Sequence, residues 1–313
     1  MKSIRSCRIT GYGTYLPSKT VTFNGETRYR ISDNESQLSM AVEACKQAIG
    51  AAKVKIEDID CIVSASAVAP QPIPCMAALI HEQIAIGTDI PALDINTTCT
   101  SFITALDTMS YLVSAGRYRN VLIVSSDVGS LGLNPKQRES YELFSDGAAA
   151  IVLSSSTEKS QGVIASMQRT WSEGAHSTEI RGGLTNLHPK NYSEENKEDF
   201  MFDMDGRTVL RIAATHLPKM FDDFKAEYGI GFDDIDLIIP HQASRALDMI
   251  MKRMGAPKDS YVNWVPKYGN MVSASVPFIL CKLLEDSSIQ KSNKVLLCGT
   301  AAGLTANIVV MEI

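Results

Sequence analysis

The chain repeats itself. Asp58-Ile59-Asp60-Cys61-Ile62-Val63 returns as Asp234-Ile235-Asp236-Leu237-Ile238-Ile239, and Val121-Leu122-Ile123-Val124 returns as Val295-Leu296-Leu297-Cys298. Both pairs stand about 175 residues apart, so one register explains both. Either match alone is weak, because Asp-Ile-Asp before a strand is a common way for a helix to lead into a sheet. Two matches in one register predict a duplicated α/β unit whose halves pack together. Applied to Cys99, the offset lands near Asn270. Both residues sit in short polar turns ahead of apolar helical runs, where α/β sheets collect ligands.

The coarse element pattern agrees with an α/β alternation. Ser36 to Ala51 places Leu38, Ala41, Ala44, Cys45 and Ala48 at helical spacing. Ile59 to Val68 and Val121 to Ser125 are short, apolar and β-branched, as strands buried on both faces are. Ser101 to Ala115 is an apolar helix. From Ser154 the chain turns polar, which predicts a boundary there and halves spanning 1–160 and 161–313. Gly174 to Glu198 reads as a polar surface excursion.

Composition narrows the function classes. With 313 residues and 45% of them hydrophobic, the chain is long enough for two packed halves. A net charge of -5 gives no global field for nucleic acid or an anionic membrane. The seven cysteines form no C-x-x-C pair and their number is odd, which disfavours zinc ribbons and disulfide frameworks and suits a reducing cytoplasm. Lys2, Arg5 and Arg8 are followed by no apolar stretch of signal-peptide type, and prolines and polar residues break every run that might cross a bilayer.

Three residues stand out chemically. Cys99 follows a strand-like run, Pro91 to Ile95, and opens a helix, where the positive end of the helix dipole favours thiolate. His241 ends the buried strand Ile238-Ile239-Pro240, where His and Gln need partners. Asn270 follows Gly269 in a turn. Each has a plainer alternative: a structural cysteine, a hydrogen-bonded core histidine, a turn with a helix cap. His81, His176, His188 and His216 read as surface or loop residues. Gly299 to Thr305 is a small-residue loop that can bring backbone N–H groups to a carbonyl oxygen, or simply a tight turn. There is no G-x-x-x-x-G-K-[ST], H-E-x-x-H or G-x-S-x-G, so nucleotide, zinc and serine hydrolysis lose support.

Taken together, these segments resemble the thiolase-fold condensing enzymes, and within them the β-ketoacyl-acyl carrier protein synthase III family. The resemblance runs through Ile9-Thr10-Gly11, Tyr15-Leu16-Pro17, Cys99, Phe144-Ser145-Asp146-Gly147-Ala148, Pro240-His241-Gln242-Ala243, Gly269-Asn270 with Ser273-Ala274-Ser275-Val276-Pro277, and Gly303-Leu304-Thr305. It implies a thiolase-like α/β fold of duplicated halves, layered α-β-α-β-α. It further implies a Cys99–His241–Asn270 triad: Cys99 takes an acyl group from a thioester, then His241 and Asn270 hold the carbonyl of a malonyl-carrier thioester as carbon dioxide leaves. Backbone N–H groups of Cys99 and Ala302 form the oxyanion hole. No metal or redox cofactor is implied, only a coenzyme A thioester and an acyl carrier protein, with a cytoplasmic homodimer. An Asn rather than an acid at 270 favours carbon–carbon bond formation, since Asn donates without carrying charge.

The resemblance also assigns Arg138 to the adenine side of coenzyme A, and Ile73 and Phe144 to the primer pocket. Arg207, Arg211, Arg245, Lys252 and Arg253 become candidates for docking an acidic carrier protein, although they also read as solvated helix faces. Four departures stand out. The segment bearing an adenine-stacking Trp is missing between Pro17 and Asn24. Ile73 replaces a Phe that closes the pocket across the dimer. Thr300-Ala301-Ala302-Gly303 is poorer in glycine than the family loop, and Ser244 replaces an Asn. Rival readings are an acyltransferase or specialised-metabolism condensing enzyme on this fold, a thioesterase-like cysteine hydrolase, and a non-catalytic partner subunit.

Overall fold

The computed structural model describes residues 4–158 and 160–313. Met1–Ser3, part of the segment read as carrying no leader, and Lys159, beside the expected boundary, lie outside the described residues.

The first half runs β1 (Arg5–Tyr15), a hairpin of β2 (Lys19–Phe23) and β3 (Glu26–Arg30), α1 (Gln37–Ala52), β4 (Cys61–Ser64), α2 (Met76–Ile84), β5 (Ala92–Asp94), α3 (Ser101–Ser114), β6 (Asn120–Val128), α4 (Arg138–Leu143) and β7 (Asp146–Ser155). The second half has β8 (Gly162–Thr170), a small pair β9 (Thr178–Glu179) and β10 (Asp203–Met204), α5 (Gly206–Tyr228), β11 (Leu237–Pro240), α6 (Leu247–Arg253), α7 (Val265–Tyr268), α8 (Ser275–Glu285), β12 (Lys294–Ala301) and β13 (Thr305–Glu312). The predicted helix at 36–51 starts one residue later because Ser36 caps it. Ser36 accepts from the Ser39 backbone N–H at 3.1 Å, and Ser39 accepts from the Ser36 N–H at 2.8 Å. The predicted strand from Ile59 to Val68 shrinks to β4. Beyond Ala65, whose N–H still reaches Val124, the chain turns away and the Ala67 and Val68 N–H groups bind a carboxylate described below.

Nine strands form a sheet in the order β11-β12-β13-β8-β1-β7-β6-β4-β5. It has two leaves hinged at β1, whose Arg5 and Ser6 pair with β8 while Cys7 to Tyr15 pair with β7. The repeat seen in the sequence is also a repeat of register. Cys61 to Ser64 lie parallel to Val121 to Val124, and Leu237 to Pro240 lie parallel to Val295 to Cys298. The repeated acid does the same work twice: the Asp60 carboxylate accepts from the Asn120 N–H at 2.8 Å, and that of Asp236 from the Lys294 N–H at 2.7 Å.

Strand alternation sorts side chains into layers. Val121 and Ile123 join Val295 and Leu297 in a central core with α3 and α8. Leu122 and Val124 pack outward against α1 and α2. Leu296 and Cys298 pack outward against α5 and α6. The result is helix, leaf, helix pair, leaf, helix, the five-layer arrangement expected. Both faces of each leaf are covered, which is why these strands read as unbroken apolar runs. The polar excursion at 174–198 is mostly exposed loop and short 3-10 turns.

Candidate active site

Two turns of the same design face each other where the halves meet. In the first, Asn96 Oδ1 accepts from the Thr98 N–H at 2.7 Å and Ser101 Oγ from the Thr97 N–H at 3.0 Å. In the second, Asn270 Oδ1 accepts from the Val272 N–H at 2.8 Å and Ser275 Oγ from the Met271 N–H at 2.9 Å. Thr98 and Val272 have φ of 51° and 53°, a left-handed backbone that β-branched residues avoid. Such strain costs about 1–3 kcal/mol per residue and persists where the surroundings enforce it, as at functional sites. The repeat is legible as N-T-T-C-T-S at 96–101 and N-M-V-S-A-S at 270–275. This refines the offset that lands near Asn270. The counterpart of Cys99 is Ser273, and Asn270 matches Asn96.

Cys99 sits in a 3-10 turn, Thr98–Thr100, directly before α3. It is half-buried. Burial pushes its thiol up to about 12, with the Asp127 carboxylate adding to the rise, although the backbone N–H groups of Ala302 and of Cys99 itself pull the other way. Burial therefore works against the helix-end effect expected from the sequence. The Ala302 loop is tied to this turn, since Thr98 Oγ1 donates to the Ala302 carbonyl at 3.2 Å. Leu304, with φ of 50°, is a third strained residue in that loop.

His241 follows β11, and its N–H donates to the Cys298 carbonyl at 2.8 Å, which continues the parallel pairing by one residue. The ring is buried, which lowers its pKa to about 4 and keeps it neutral. Its Nδ1 is buried without a hydrogen-bond partner. A buried N–H with no acceptor costs more than a bare lone pair, so the single ring proton belongs on Nε2. Gly299 on β12 separates His241 from the Cys99 turn. A Cβ there would stand 2.7 Å from His241 Cβ and 3.4 Å from Thr100 Cγ2. His241 and the Cys99 turn thus flank one glycine, and the 3-10 turns carrying Cys99 and following Asn270 pack together.

Asn270 is buried, with its backbone clamped to the α4–β7 corner. Its N–H donates to the Leu143 carbonyl at 2.9 Å and its carbonyl accepts from the Ser145 N–H at 2.8 Å. Because Oδ1 is engaged by Val272 and, at 3.4 Å, by Ser275 Oγ, the amide orientation is set and Nδ2 is left as a donor with no acceptor among the described residues. Phe144, expected in the primer pocket, lies beside this clamp, 6% exposed and edge-on to Phe202.

A cavity of about 620 Å³ opens between α5 and α6 and reaches His241, Gly299 and Thr300. Its walls are apolar, with Leu210, Leu217 and Leu247 among them, and Arg207 and Arg253 also line it. The other cations expected to dock a carrier divide. Arg211 and Lys252 are exposed, whereas Arg245 is committed to Glu26 and Glu142. Arg138 is largely exposed and pairs with Glu142. Ile73 is 84% exposed, in the loop before α2. Among the described residues no group of His, Cys, Asp and Glu is arranged to hold a metal ion, and no helix is long and apolar enough to cross a membrane.

Sequence reasoning missed Asp127 and Ser273. Both are buried, and Ser273 donates to Asp127 through both its backbone N–H and its hydroxyl. The signal was the polar Ser125-Ser126-Asp127 run at the end of an otherwise apolar strand, together with the N-x-x-[C/S]-x-S repeat.

Comparison with known proteins supplies the remaining link. Family models described as 3-oxoacyl-[acyl-carrier-protein] synthase III match residues 93–171, and its C-terminal part residues 226–313. A β-ketoacyl-[acyl-carrier-protein] synthase III of Clostridium perfringens is 31% identical over 320 residues, covering 96% of this chain and 98% of the relative. A crystal structure of a 3-oxoacyl-(acyl-carrier-protein) synthase III superposes with a TM-score of 0.91 at 20% identity, covering 98% of this chain and 100% of that one. The priming β-ketosynthase of the R1128 polyketide pathway gives 0.87 at 23% identity, covering 100% and 98%. With matched models over both halves and a relative aligned from end to end, the chain belongs to the β-ketoacyl-acyl carrier protein synthase III family, and it is a thiolase-fold condensing acyltransferase.

Proposed function

We propose that the chain performs a decarboxylative Claisen condensation of an acyl thioester primer with malonyl-acyl carrier protein, in fatty-acid initiation or a related pathway. Cys99, His241 and Asn270 carry the chemistry. The observation that bears most weight is the pair of unpartnered donors: a neutral imidazole with its proton on Nε2, and an amide whose oxygen is already engaged. Two uncharged donors, brought to one oxygen, would suit a carbonyl that becomes an enolate.

In the first half-reaction Cys99 Sγ attacks the primer carbonyl. Coenzyme A leaves and takes up the thiol proton, so acyl-Cys99 forms with no net charge change. The N–H groups of Cys99 and Ala302, which already favour negative charge on the sulfur, stabilise the tetrahedral oxyanion. In the second half-reaction the malonyl thioester loses carbon dioxide. The electron pair left behind becomes the enolate held by His241 Nε2–H and Asn270 Nδ2–H. The enolate carbon attacks acyl-Cys99, the carbon–sulfur bond breaks, and the Cys99 thiolate takes a proton to regenerate the thiol. Its strongly raised pKa makes that final protonation favourable at neutral pH.

The apolar cavity ending at His241 supplies a path for the thioester arm. Arg207, Arg211, Lys252 and Arg253 form the surface for an acidic carrier, with Arg245 held back by its own ion pairs. Arg138 serves the adenine side of coenzyme A, and the short β2–β3 hairpin in place of a stacking platform weakens the grip on adenine. Edge strand β5 and the exposed Ile73 and Ile86 favour a homodimer, since an uncovered sheet edge invites pairing. In that dimer Ile73 reaches the partner's primer pocket while Phe144 lines its own. A cytoplasmic setting suits seven free cysteines. Residues 1–160 and 161–313 are the duplicated halves, joined at the β7–β8 turn.

The test is intact-mass analysis after incubation with mixed acyl-coenzyme A primers, then addition of malonyl-acyl carrier protein. The expected result is one acyl group on Cys99 that disappears with release of carbon dioxide and a β-ketoacyl product. Free acid without a ketoacyl product would assign a hydrolase instead, and transfer without carbon dioxide a simple acyltransferase.

A further inference from the structure

Asp127 lies at the end of β6, 2% exposed; burial pushes its carboxyl up to about 7, against the pull of the hydrogen bonds that surround it. Oδ1 accepts from the Ala67 N–H at 3.0 Å and the Val68 N–H at 3.3 Å, while Oδ2 accepts from the Ser273 N–H at 3.0 Å and from Ser273 Oγ. The two sides of this carboxylate lead to the two active-site turns. Ala67, whose N–H is on Asp127, offers its carbonyl to Asn96 Nδ2 at 2.8 Å, and Asn96 is the first residue of the Cys99 turn. Ser273 lies in the turn that begins with Asn270. One buried carboxylate therefore ties the strand exit beneath the nucleophile to the turn that presents the amide.

The repeat shows that this is not a general feature of the fold. Ser273 stands where Cys99 stands in the other half. Cys99 is met by the uncharged Ala302 loop, whereas Ser273 is met by a carboxylate. One copy of the turn holds a reacting sulfur and the other a fixed anchor.

We propose that Asp127 is a positioning residue for condensation: with Ser273 it sets the placement of Asn270 relative to Cys99. The inference rests on the condensation proposed above. Acylation needs only Cys99 and its oxyanion hole, which keep their own ties through Asn96, Ser101 and Thr98. Loss of the clamp leaves acylation in place and damages the second half-reaction. Asp127 also acts on Cys99 through its charge, which disfavours thiolate. The other titratable side chain of the triad, His241, is neutral, so the charge effect is separable.

The experiment compares wild-type protein with D127N and S273A. Three rates are read: acylation of Cys99 by intact mass, condensation with its kcat and KM for malonyl-acyl carrier protein, and alkylation of Cys99 by iodoacetamide followed on its peptide. In both variants acylation stays within about threefold and KM holds, while condensation kcat falls by about 10²-fold, the cost of a misplacement near 1 Å. Read well above pH 7, where the Asp127 carboxyl is ionised, alkylation of Cys99 speeds up in D127N, which lacks the charge, more than in S273A, which retains the carboxyl. S273A deletes one oxygen and serves if D127N fails to fold. Equal losses in acylation and condensation, or condensation at the wild-type rate, would overturn the proposal. A wild-type protein that loads acyl groups but makes no ketoacyl product would instead sink the condensation itself, and alkylation, which needs no substrate, would still report whether Asp127 governs Cys99.

Discussion

Gly299 gives the sharpest structural perturbation, because the space beside it is known. In Gly299→Ala the new methyl would lie 2.7 Å from His241 Cβ. Ordinary carbon contact begins near 3.5 Å, so His241 or β12 must give by roughly 0.8 Å. Thr100 Cγ2, at 3.4 Å, is already in contact with the new methyl and limits where it can turn. Overpacking of this kind costs about 1–3 kcal/mol, which lowers the melting temperature without preventing folding. The movement falls on His241 rather than on Cys99, whose turn is held by Asn96 and Ser101. The expected outcome is acylation of Cys99 within a few-fold of wild type and condensation reduced by about 10²-fold, the scale of an ångström-sized misplacement. Stopped acylation assays by mass and a carbon dioxide release assay measure the two steps on the same preparation. Condensation at the wild-type rate in a folded Gly299→Ala protein would mean that His241 does not need its present position.

Three further outcomes are expected. Cys99→Ala forms no acyl-enzyme with any acyl-coenzyme A yet retains decarboxylation of the malonyl thioester, which product analysis by mass separates. Asn270→Ala loads Cys99 normally, while condensation falls by about 10²–10³-fold, the usual cost of one lost oxyanion donor. His241 is neutral when folded, with a pKa near 4 against 6.5 when unfolded. Its contribution is therefore complete above pH 6.5 and is lost as pH falls toward 4, because the unfolded chain takes up a proton that the folded one refuses. Denaturant melts of wild type and His241→Asn across that range should diverge by up to about 3 kcal/mol, with the wild type losing more.

Much of the fold was legible because duplication leaves its mark on sequence. The Asp-Ile-Asp repeat and the two apolar strands mark register as well as composition, since Asp60 and Asp236 each bind the N–H at the start of the neighbouring strand. The triad residues were legible as types in context. Their relation was not. The offset lands near Asn270, and only the backbone shows that Cys99 pairs with Ser273 through matching turns. The helix end beside Cys99 is visible in sequence, but the burial that works against it is set by tertiary packing. Asp127 was hidden for the same reason. A lone acid after a strand reads as a turn residue until the segments that surround it, Ala67–Val68 and Ser273, are brought together from distant parts of the chain.

The most direct measurement loads the protein with a single acyl-coenzyme A, isolates acyl-Cys99, and adds malonyl-acyl carrier protein labelled in its free carboxyl. The account predicts labelled carbon dioxide and loss of the acyl mass from Cys99 in equal amounts, with a β-ketoacyl carrier as product. Acyl loss as free acid with the label still on the carrier, or an acyl group found on a residue other than Cys99, would contradict it.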